Sequence, residues 1–458
     1  MTTSTANIRG QARAHLLPHF TREKTWRDTE LPVIVRGSGA YVFDDQEHRY
    51  LDGLSGLFCV NMGHGRSDFV AAAATQMQQL AYWTNWSATH PSAVQAATLI
   101  ADLAPDGLGT TFFVNSGSEA VESALKFTRQ FHLSQGNGQR VKFLARDMAY
   151  HGTTMGALSV TGIDRFKAPF GPLLNGVRHF PNTRGEKLRP GETAAHLPSI
   201  QALLQIIEEE GPETIAAVIA EPVQNAGGAL VPPEGYWQEL RSICDRIGCL
   251  LIADEVITAF GRIGEWFGST RYGANPDLVT FAKGVTSGYA PLGGVLIRDS
   301  LVAGLIESPL AGTFSHGSTW GGHPVSTAVA IANLTAIRDE GTLNNVRTLE
   351  ATLQSGLNQI RDTHPCVKDW RGTGFFHVIE FTGNRHTGRE LTALEAETIT
   401  RDVLPTAMKR VNLLTRADDR GGTMLVLSPP LIADREIVTE LLDCVEAVVS
   451  TVETYLAT

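Results

Sequence analysis

Residues 249–256 read Cys-Leu-Leu-Ile-Ala-Asp-Glu-Val, an apolar run that ends abruptly in two carboxylates. Five consecutive apolar residues predict a short strand buried on both faces, which is typical of a parallel sheet covered by helices. A carboxylate directly after such a strand is costly to bury without a partner. The stretch therefore predicts an α/β fold, and it marks the end of this strand as a place where chemistry could occur.

Similar apolar runs lie on both sides of this one, and stretches of helical periodicity separate most of them. The helical stretches are Ala120–Phe131, Ile200–Glu210 and Tyr236–Ile247. Strands that alternate with helices predict a mostly parallel sheet between two layers of helices. Ligands bind such sheets beyond the carboxyl ends of the strands. The predicted strands are Thr111–Val114, Val141–Ala145, Ile215–Ala220, Cys249–Ala253, Leu278–Ala282 and Gly294–Ile297.

The two ends of the chain have a different pattern. Val33–Arg36 and Tyr41–Leu51, with a turn at Asp44-Asp45, predict a small antiparallel hairpin sheet. The C-terminal part combines long helical patterns with two short strands, namely Val325–Glu340, Leu343–Thr363, Phe376–Phe381 and Met424–Leu427. We therefore expect a large domain over residues 61–329, and a small α+β domain formed by an N-terminal arm and segment (1–60) together with residues 330–458.

Composition argues against several functional classes. The 458 residues carry a net charge of −10 and no basic cluster, which argues against a nucleic-acid partner. No apolar run approaches the roughly 18 residues of a membrane span, and no secretory signal is evident. The five cysteines suit reduced thiols in the cytoplasm, and Cys244 and Cys249 lack the second ligand pair that a metal site needs.

Small residues follow the first strand of the predicted sheet, in the segment Asn115-Ser116-Gly117-Ser118-Glu119-Ala120. A helix that begins here offers free N–H groups and the positive end of its dipole to an anion. The alternative is an ordinary N-cap formed by Ser116 or Ser118.

The second strand ends near Tyr150-His151, where an aromatic ring could stack on a flat ligand and an imidazole could hydrogen-bond beside it. A buried pair with satisfied polar atoms is the alternative.

Charged side chains follow the next three strands. Glu221 follows the third and Asp254 the fourth. Asp254 could be a salt-bridge partner, a helix cap or a carboxylate that faces a heterocyclic nitrogen. Lys283 follows the fifth, where desolvation lowers the pKa of an amine unless its head reaches water. At one crevice these groups would supply a phosphate site, a ring stack, a pyridinium partner and a Schiff-base lysine. That combination predicts a pyridoxal 5′-phosphate site.

These motifs resemble those of the class III aminotransferases of the fold-type I pyridoxal-phosphate superfamily. The resemblance covers the chain from about Arg36 to Thr458. It rests on segments 115–120, 150–152, Glu-Pro-Val-Gln at 221–224, Asp-Glu-Val at 254–256, Gly-Arg-Ile-Gly at 261–264, Ala-Lys-Gly at 282–284 and Thr-Trp-Gly-Gly-His-Pro at 319–324. The segments 56–65 and 231–237 are similar to the branch of ω-amino acid and amine:pyruvate transaminases.

The resemblance implies roles for individual residues. Lys283 would form the Schiff base, Asp254 would pair with the pyridine nitrogen, and Tyr150 would stack on the ring opposite Val256. Glu221 would orient Asp254. The implied contacts to the phosphate and the rest of the cofactor are those of Ser116, Gly117, Ser118, His151 and Thr319, with Thr319 arriving from a partner subunit. The resemblance thus implies a homodimer with shared sites, which could assemble further into a tetramer.

Departures from neighbouring branches bear on the substrate. The γ-aminobutyrate and ornithine branches have an arginine where this chain has Thr153, and the ornithine branch has a glutamate where it has Ala226. The resemblance then implies a mobile arginine on a C-terminal loop, which we predict to be Arg416, with Arg420 as the rival. The rest of the predicted substrate pocket is Phe20, Phe58, Trp83, Trp86, Ala226 and Trp320, with Phe58 replacing a common tryptophan.

The predicted function is a ping-pong transamination from an ω-amino acid or primary amine, such as β-alanine, to pyruvate. The alternatives are class III transamination of γ-aminobutyrate, diamines or taurine, or an aminomutase reaction. A binding protein that kept the fold but lost the chemistry is a further alternative, although Lys283, Asp254 and the phosphate segment together argue against it.

Overall fold

The computed structural model describes residues 5–28 and 32–458. The N-terminal segment contains two helices, an antiparallel hairpin sheet and one irregular helical turn. The Asp44 carboxylate closes the hairpin by accepting N–H groups from Gln46 and His48, each at 2.9 Å. The predicted hairpin is therefore confirmed. Its elements are α1 (Thr5–His15), α2 (Glu23–Asp28), β1 (Ile34–Ser38), β2 (Tyr41–Asp44), β3 (Arg49–Asp52) and α3 (Ser55–Phe58).

The central part of the chain alternates between strands and helices. All six predicted strands are present within one or two residues of their predicted bounds. The elements are α4 (Ser67–Gln79), α5 (Pro91–Leu103), β4 (Thr110–Val114), α6 (Gly117–Ser134), β5 (Lys142–Arg146), α7 (Met155–Val160), α8 (Asp164–Lys167), β6 (Val177–Phe180), α9 (Pro198–Glu210), β7 (Ile215–Ala220), α10 (Tyr236–Ile247), β8 (Leu250–Asp254), α11 (Gly268–Arg271), β9 (Leu278–Phe281), β10 (Gly293–Ile297) and α12 (Asp299–Ile306).

These strands form one seven-stranded sheet in the order β4-β10-β9-β8-β7-β5-β6. Every residue of β7, β8, β9 and β10 is buried, as the apolar runs predicted. The predicted parallel arrangement holds except for β10, which is antiparallel to both neighbours. Residues 282–292 are too short a connection for the helical crossover that parallel strands need. Strand β6 was not predicted, because at the edge of the sheet it lacks an apolar run.

The C-terminal part packs long helices on a second sheet. Strands β11, β12, β15 and β14 form an antiparallel sheet in that order, and β13 pairs in parallel with β3 of the N-terminal segment. The elements are α13 (Pro324–Asp339), α14 (Thr342–Thr363), β11 (Val367–Thr373), β12 (Phe376–Phe381), α15 (Ala393–Thr398), α16 (Leu404–Arg410), β13 (Leu413–Leu414), β14 (Arg416–Asp418), β15 (Met424–Leu427) and α17 (Arg435–Leu456).

One hydrophobic cluster joins both ends of the chain. It contains Ala40 and Leu51 from the N-terminal sheet together with Leu353 of α14 and Val445 of α17. This packing supports the predicted small domain built from the two termini, and that domain division stays a prediction. The expected boundary at 329/330 falls inside α13. Within residues 5–28 and 32–458, no helix has both the length and the apolar character of a membrane span.

Candidate active site

The carboxyl ends of the parallel strands meet at one cavity of about 940 Å³. Segments that follow β4, β5, β7, β8 and β9 all contribute to its wall, as the sequence predicted. The small sheet and the N-terminal arm close the opposite side. The predicted residues that line the cavity are Ser116, Gly117, Ser118, Tyr150, His151, Glu221, Asp254, Val256, Lys283, Phe20, Phe58 and Arg416.

The segment before α6 places the start of a long helix at the cavity wall. Ser116 is the N-cap, and its hydroxyl accepts the N–H of Glu119 at 3.2 Å. The first N–H groups of this 18-residue helix, at Gly117 and Ser118, have no acceptor within the helix. A Cβ at Gly117 would lie 2.8 Å from a methyl of Val256, so glycine is required for this close approach. The N-cap alternative is therefore observed at Ser116, and the anion site stays a prediction that this cap does not exclude.

Asp254 is fixed by three donors at the end of β8. Its carboxylate lies 2.6 Å from Nδ1 of His151 and accepts the Thr280 hydroxyl at 3.0 Å and the Val256 N–H at 3.2 Å. Only 4% of Asp254 is exposed. The other ring nitrogen of His151 is buried and has no partner among the residues described here. The arrangement orients one carboxylate toward the cavity and leaves a second polar atom available beside it.

Glu221 lies beside this pair and is also buried. It accepts the N–H of Asn225 at 2.9 Å and that of Tyr150 at 3.4 Å. Burial raises the pKa of Glu221, although the nearby His151 acts in the opposite direction. Glu221 therefore connects the segments after β5 and β7, and it holds Tyr150 at the cavity wall.

Lys283 follows β9 in a strained conformation, with a φ of +38° that side-chain-bearing residues rarely adopt. Asn333 holds the turn by donating to the carbonyls of Gly284 and Val285, both at 2.9 Å. Burial lowers the pKa of the Lys283 amine, and nearby groups such as Cys59 and Asp254 oppose this shift only in part. A lowered pKa favours the neutral amine, which is the nucleophilic form.

Arg416 and Arg420 share one carboxylate on the outer wall. Arg420 donates to Asp418 through Nε, at 2.8 and 3.1 Å, and through Nη2. Arg416 lies 3.1 Å from Asp418 and 3.1 Å from Oδ1 of Asn225, and its guanidinium is 5.3 Å from the ring centre of Phe58. The expectation of a loop arginine is wrong in one respect, because Arg416 begins strand β14 and its backbone pairs with β15.

Several predicted residues do not reach the cavity within one chain. Trp83, Trp86 and Trp320 are 54%, 64% and 61% exposed on another face, so their assignment to the pocket of the same chain is corrected. Thr319 lies on that face too, where its carbonyl accepts the Tyr82 hydroxyl at 2.7 Å. Ala226 is fully buried behind the wall, because the chain turns there and presents Asn225 instead.

Sequence reasoning missed other residues of the wall. Asn225 lies directly after the quoted Glu-Pro-Val-Gln segment, so its position could have been found. Phe166 gave no signal, because it lies in the four-residue helix α8. Its ring contacts both Phe20, at a centroid distance of 5.3 Å, and Tyr150, at 6.3 Å. This row of rings places the N-terminal arm at the mouth of the cavity.

The residues present fit pyridoxal 5′-phosphate. The open N–H groups at the start of α6 suit a phosphate, and the buried unpartnered His151 nitrogen suits a polar substituent beside a ring. A buried carboxylate and a lysine with a lowered pKa complete the set in one cavity. The fold and the site thus define a pyridoxal-phosphate enzyme of fold type I.

Comparison with known proteins identifies the family. Residues 24–449 match the family model "Aminotransferase class-III". The chain is 42% identical to the probable aminotransferase Rv3329 of Mycobacterium tuberculosis, covering 91% of this chain and 88% of that protein. It is 37% identical to the putrescine–pyruvate aminotransferase of Pseudomonas aeruginosa, covering 94% and 93%. The chain belongs to the class III aminotransferases and is an aminotransferase that depends on pyridoxal phosphate.

Solved structures agree with this assignment. An (S)-enantioselective ω-transaminase from Thermomicrobium roseum superposes with a TM-score of 0.92 at 38% identity, covering 99% of this chain and 100% of that one. The ω-transaminase from Pseudomonas jessenii, solved in complex with PMP, gives a TM-score of 0.91 at 31% identity, covering 98% and 99%.

Proposed function

We propose that this aminotransferase moves an amino group from an ω-amino acid or primary amine, such as β-alanine, to pyruvate. The observation that carries the proposal is the position of Arg416 on the wall of the cavity that contains Lys283. A guanidinium there suits the carboxylate of a keto acid. The putrescine–pyruvate relative supports pyruvate as the acceptor.

The cofactor contacts follow from the cavity wall. The N–H groups of Gly117 and Ser118 would hold the phosphate, with the Ser116 segment around it. Val256 and Tyr150 would contact opposite faces of the ring. Asp254, oriented by His151 and by the neighbouring Glu221, would stabilise the protonated ring nitrogen.

Pyridoxal phosphate supplies an electron sink for the charge that remains when the amine carbon loses its proton. Lys283 would attach the cofactor and then move that proton through its Nζ, because a lowered pKa favours the neutral amine, which can accept a proton. The ring row of Phe20, Phe166 and Tyr150 would narrow the mouth and exclude water.

We propose a homodimer in which the exposed aromatic face meets a second copy. Trp83, Trp86 and Trp320 leave a large apolar surface around Thr319, and exposed patches of this kind mark interaction sites. In the dimer, Thr319 of the partner subunit would complete the phosphate site, and the tryptophans would approach the partner's cavity. The five unpaired thiols suit the cytoplasm, where we place this enzyme.

A diamine is the second candidate donor, since the relative from Pseudomonas aeruginosa is named for putrescine. The test is an amino-donor panel with pyruvate as the acceptor, with alanine formation as the readout. β-Alanine, putrescine, taurine, γ-aminobutyrate and a simple primary amine are compared. Absence of alanine with every donor would contradict pyruvate as the acceptor, and a strong preference for putrescine would favour the second candidate.

A further inference from the structure

Two residues of the sequence motifs, Asn61 and Arg262, have no part in the proposed chemistry, and they meet behind the Lys283 turn. Arg262 is fully buried, and all four hydrogen bonds of its side chain go to uncharged oxygens. Asn61 is 1% exposed and does not line the cavity. The guanidinium donates to Oδ1 of Asn61 at 2.7 Å. The segments 56–65 and 261–264 are therefore joined by a buried hydrogen bond.

Arg262 ties this bond to the small sheet. Its guanidinium donates to the carbonyls of Phe375, at 3.2 Å, and of Pro429, at 2.6 Å, which lie just before β12 and just after β15. The N–H of Phe375 returns a bond to the Arg262 carbonyl at 3.0 Å, and the Ser55 hydroxyl accepts a further bond at 3.1 Å. Because the acceptors belong to separate segments, the guanidinium cannot turn away from Asn61 without leaving buried carbonyls unsatisfied.

Asn61 packs directly against the turn that contains Lys283. Its Nδ2 donates to the carbonyl of Phe260 at 2.8 Å, and its own carbonyl accepts the Leu431 N–H at 2.8 Å. These bonds hold the side-chain amide so close to Gly284 that a Cβ on Gly284 would overlap with Nδ2. The φ of Gly284 is not positive, so glycine is required there for space and not for conformation.

A second asparagine holds the other side of the turn. The Met62 N–H donates to the Ser287 hydroxyl at 3.0 Å, and that hydroxyl donates to Oδ1 of Asn333 at 2.5 Å. The turn is thus enclosed between Asn333, whose bonds to it are described above, and the Asn61 segment. The positive φ of Lys283 is strained, and such a conformation persists only where its surroundings impose it.

We propose that Asn61 is a positioning residue that keeps the strained Lys283 turn in place and is itself held by Arg262. Without the Asn61 side chain, the turn would relax into the vacated space, and Nζ of Lys283 would move away from the reacting carbon. A misplacement of about 1 Å can lower a rate about a hundredfold. The inference rests on the role proposed for Lys283, and it assigns Asn61 no contact with the substrate.

The first test compares Asn61→Ala with Ser55→Ala as its matched control. Each variant removes one bond from Arg262 and one bond to a backbone carbonyl, that of Phe260 or that of Ser428. In the holoenzyme, Asn61→Ala should lower kcat about tenfold and keep the KM of both substrates within about twofold of the parent. Ser55→Ala should lower Tm to a similar extent and leave kcat unchanged. Equal kcat values in the two variants would overturn the proposal.

Hydrogen exchange gives a readout that does not depend on turnover. Amides of residues 282–289 in the holoenzyme should exchange about tenfold faster in Asn61→Ala than in the parent, because local opening of the turn becomes easier. Ser55→Ala should leave exchange in this segment unchanged. If the segment exchanges at the parent rate in Asn61→Ala, the turn does not depend on Asn61 and the proposal is wrong.

A double-mutant cycle tests the contact between Asn61 and Gly284 itself. Gly284→Ala alone forces a Cβ onto the buried amide and should lower kcat at least about tenfold. In the Asn61→Ala background the nearest remaining atom is the Ala259 carbonyl oxygen at 3.4 Å, which is an ordinary contact. There, Gly284→Ala should lower kcat by less than a further factor of about two. Losses that simply multiply would overturn the proposal.

Gly284→Ala also serves if Asn61→Ala does not fold, because it leaves Asn61 and Arg262 in place. Its control is Gly304→Ala, where a Cβ would lie 3.4 Å from the ring of Phe131, and which should leave kcat unchanged. A folded Gly284→Ala enzyme with the kcat of the parent would contradict the proposal. Failure of the parent to form alanine counts against the proposed function alone, since exchange of residues 282–289 reports on the turn with any substrate.

Discussion

The inner and outer halves of the cavity are built on different principles. The inner half stands on the buried ends of the central strands, where His151, Asp254 and Glu221 are held by hydrogen bonds between neighbouring segments. The outer half comes from the small sheet, the helix α8 and the N-terminal arm, where Phe20 is 73% exposed. From this difference we expect the sheet to fix the chemistry, and the separate and shorter segments to determine the choice of substrate.

The largest effect is expected at Lys283. Lys283→Ala should lower alanine formation by at least about a thousandfold, because both the attachment point of the cofactor and the base are lost. Its control is Lys409→Ala, at the exposed end of α16, which should leave the rate unchanged. If Lys283→Ala formed alanine at a rate within tenfold of that of the parent, the assignment of the inner half would be wrong.

Two adjacent carboxylates allow a sharper test of the same half. Asp254→Asn should lower kcat about a hundredfold or more, with little change in Tm, because the ring nitrogen loses its anionic partner. Glu255 instead accepts the Ser269 N–H at 2.8 Å and the Thr258 hydroxyl at 2.9 Å near the start of α11. Glu255→Gln should therefore cost about 1–3 kcal/mol of stability and spare the rate of the folded enzyme. If Asp254→Asn lowered stability and spared the rate while Glu255→Gln lowered the rate, Asp254 would have a structural role.

The outer half is tested by its two arginines. Arg416→Ala should raise the KM for pyruvate about ten- to a hundredfold, the scale of a lost charge-assisted contact, while the amine half-reaction persists. Arg420→Ala should mainly destabilise the fold, because it leaves Asp418 buried without its main partner. If Arg420→Ala alone raises the KM, the two arginines have been assigned the wrong way round.

The proposed dimer predicts a smaller effect at Thr319. Thr319→Ala should weaken cofactor binding about tenfold, which corresponds to one hydrogen bond to a charged group. Thr313→Ala on the same exposed loop is the matched control. Cofactor content and sedimentation are followed together on dilution, and a monomer that stays saturated with cofactor would contradict the shared site.

The smallest effect concerns stability, at a residue that does not line the cavity. His377 is fully buried in β12, and burial lowers its pKa to about 4. The unfolded chain, with a pKa of about 6.5, binds this proton first, so stability is lost as pH falls below about 6.5. Between pH 7 and pH 5.5 the loss is about 1 kcal/mol. Urea titrations of the parent and of His377→Leu at both pH values should show a loss that is larger in the parent by about this amount, because other histidines with a lowered pKa, such as His132, contribute to both proteins.

The inner half could be predicted from sequence because strand ends have a regular geometry. Apolar runs located β7, β8 and β9, and the residue after each run had to face the same edge. Arg416 was harder to place, since a three-residue strand such as β14 has too few positions for a recognisable alternation. Trp320 was also hard to place, but for another reason. Its exposed position depends on packing between distant segments and not on a local sequence pattern.

The antiparallel strand β10 has a consequence for the order in which the chain assembles during synthesis. Strand β4 joins the sheet through β10 alone, so residues 110–114 have no neighbouring strand until residues 293–297 have been made. The segment 115–120 after β4 therefore reaches its final position late, after residues 293–297 have left the ribosome. Until then an apolar strand stays unpaired, which exposes the nascent chain to aggregation.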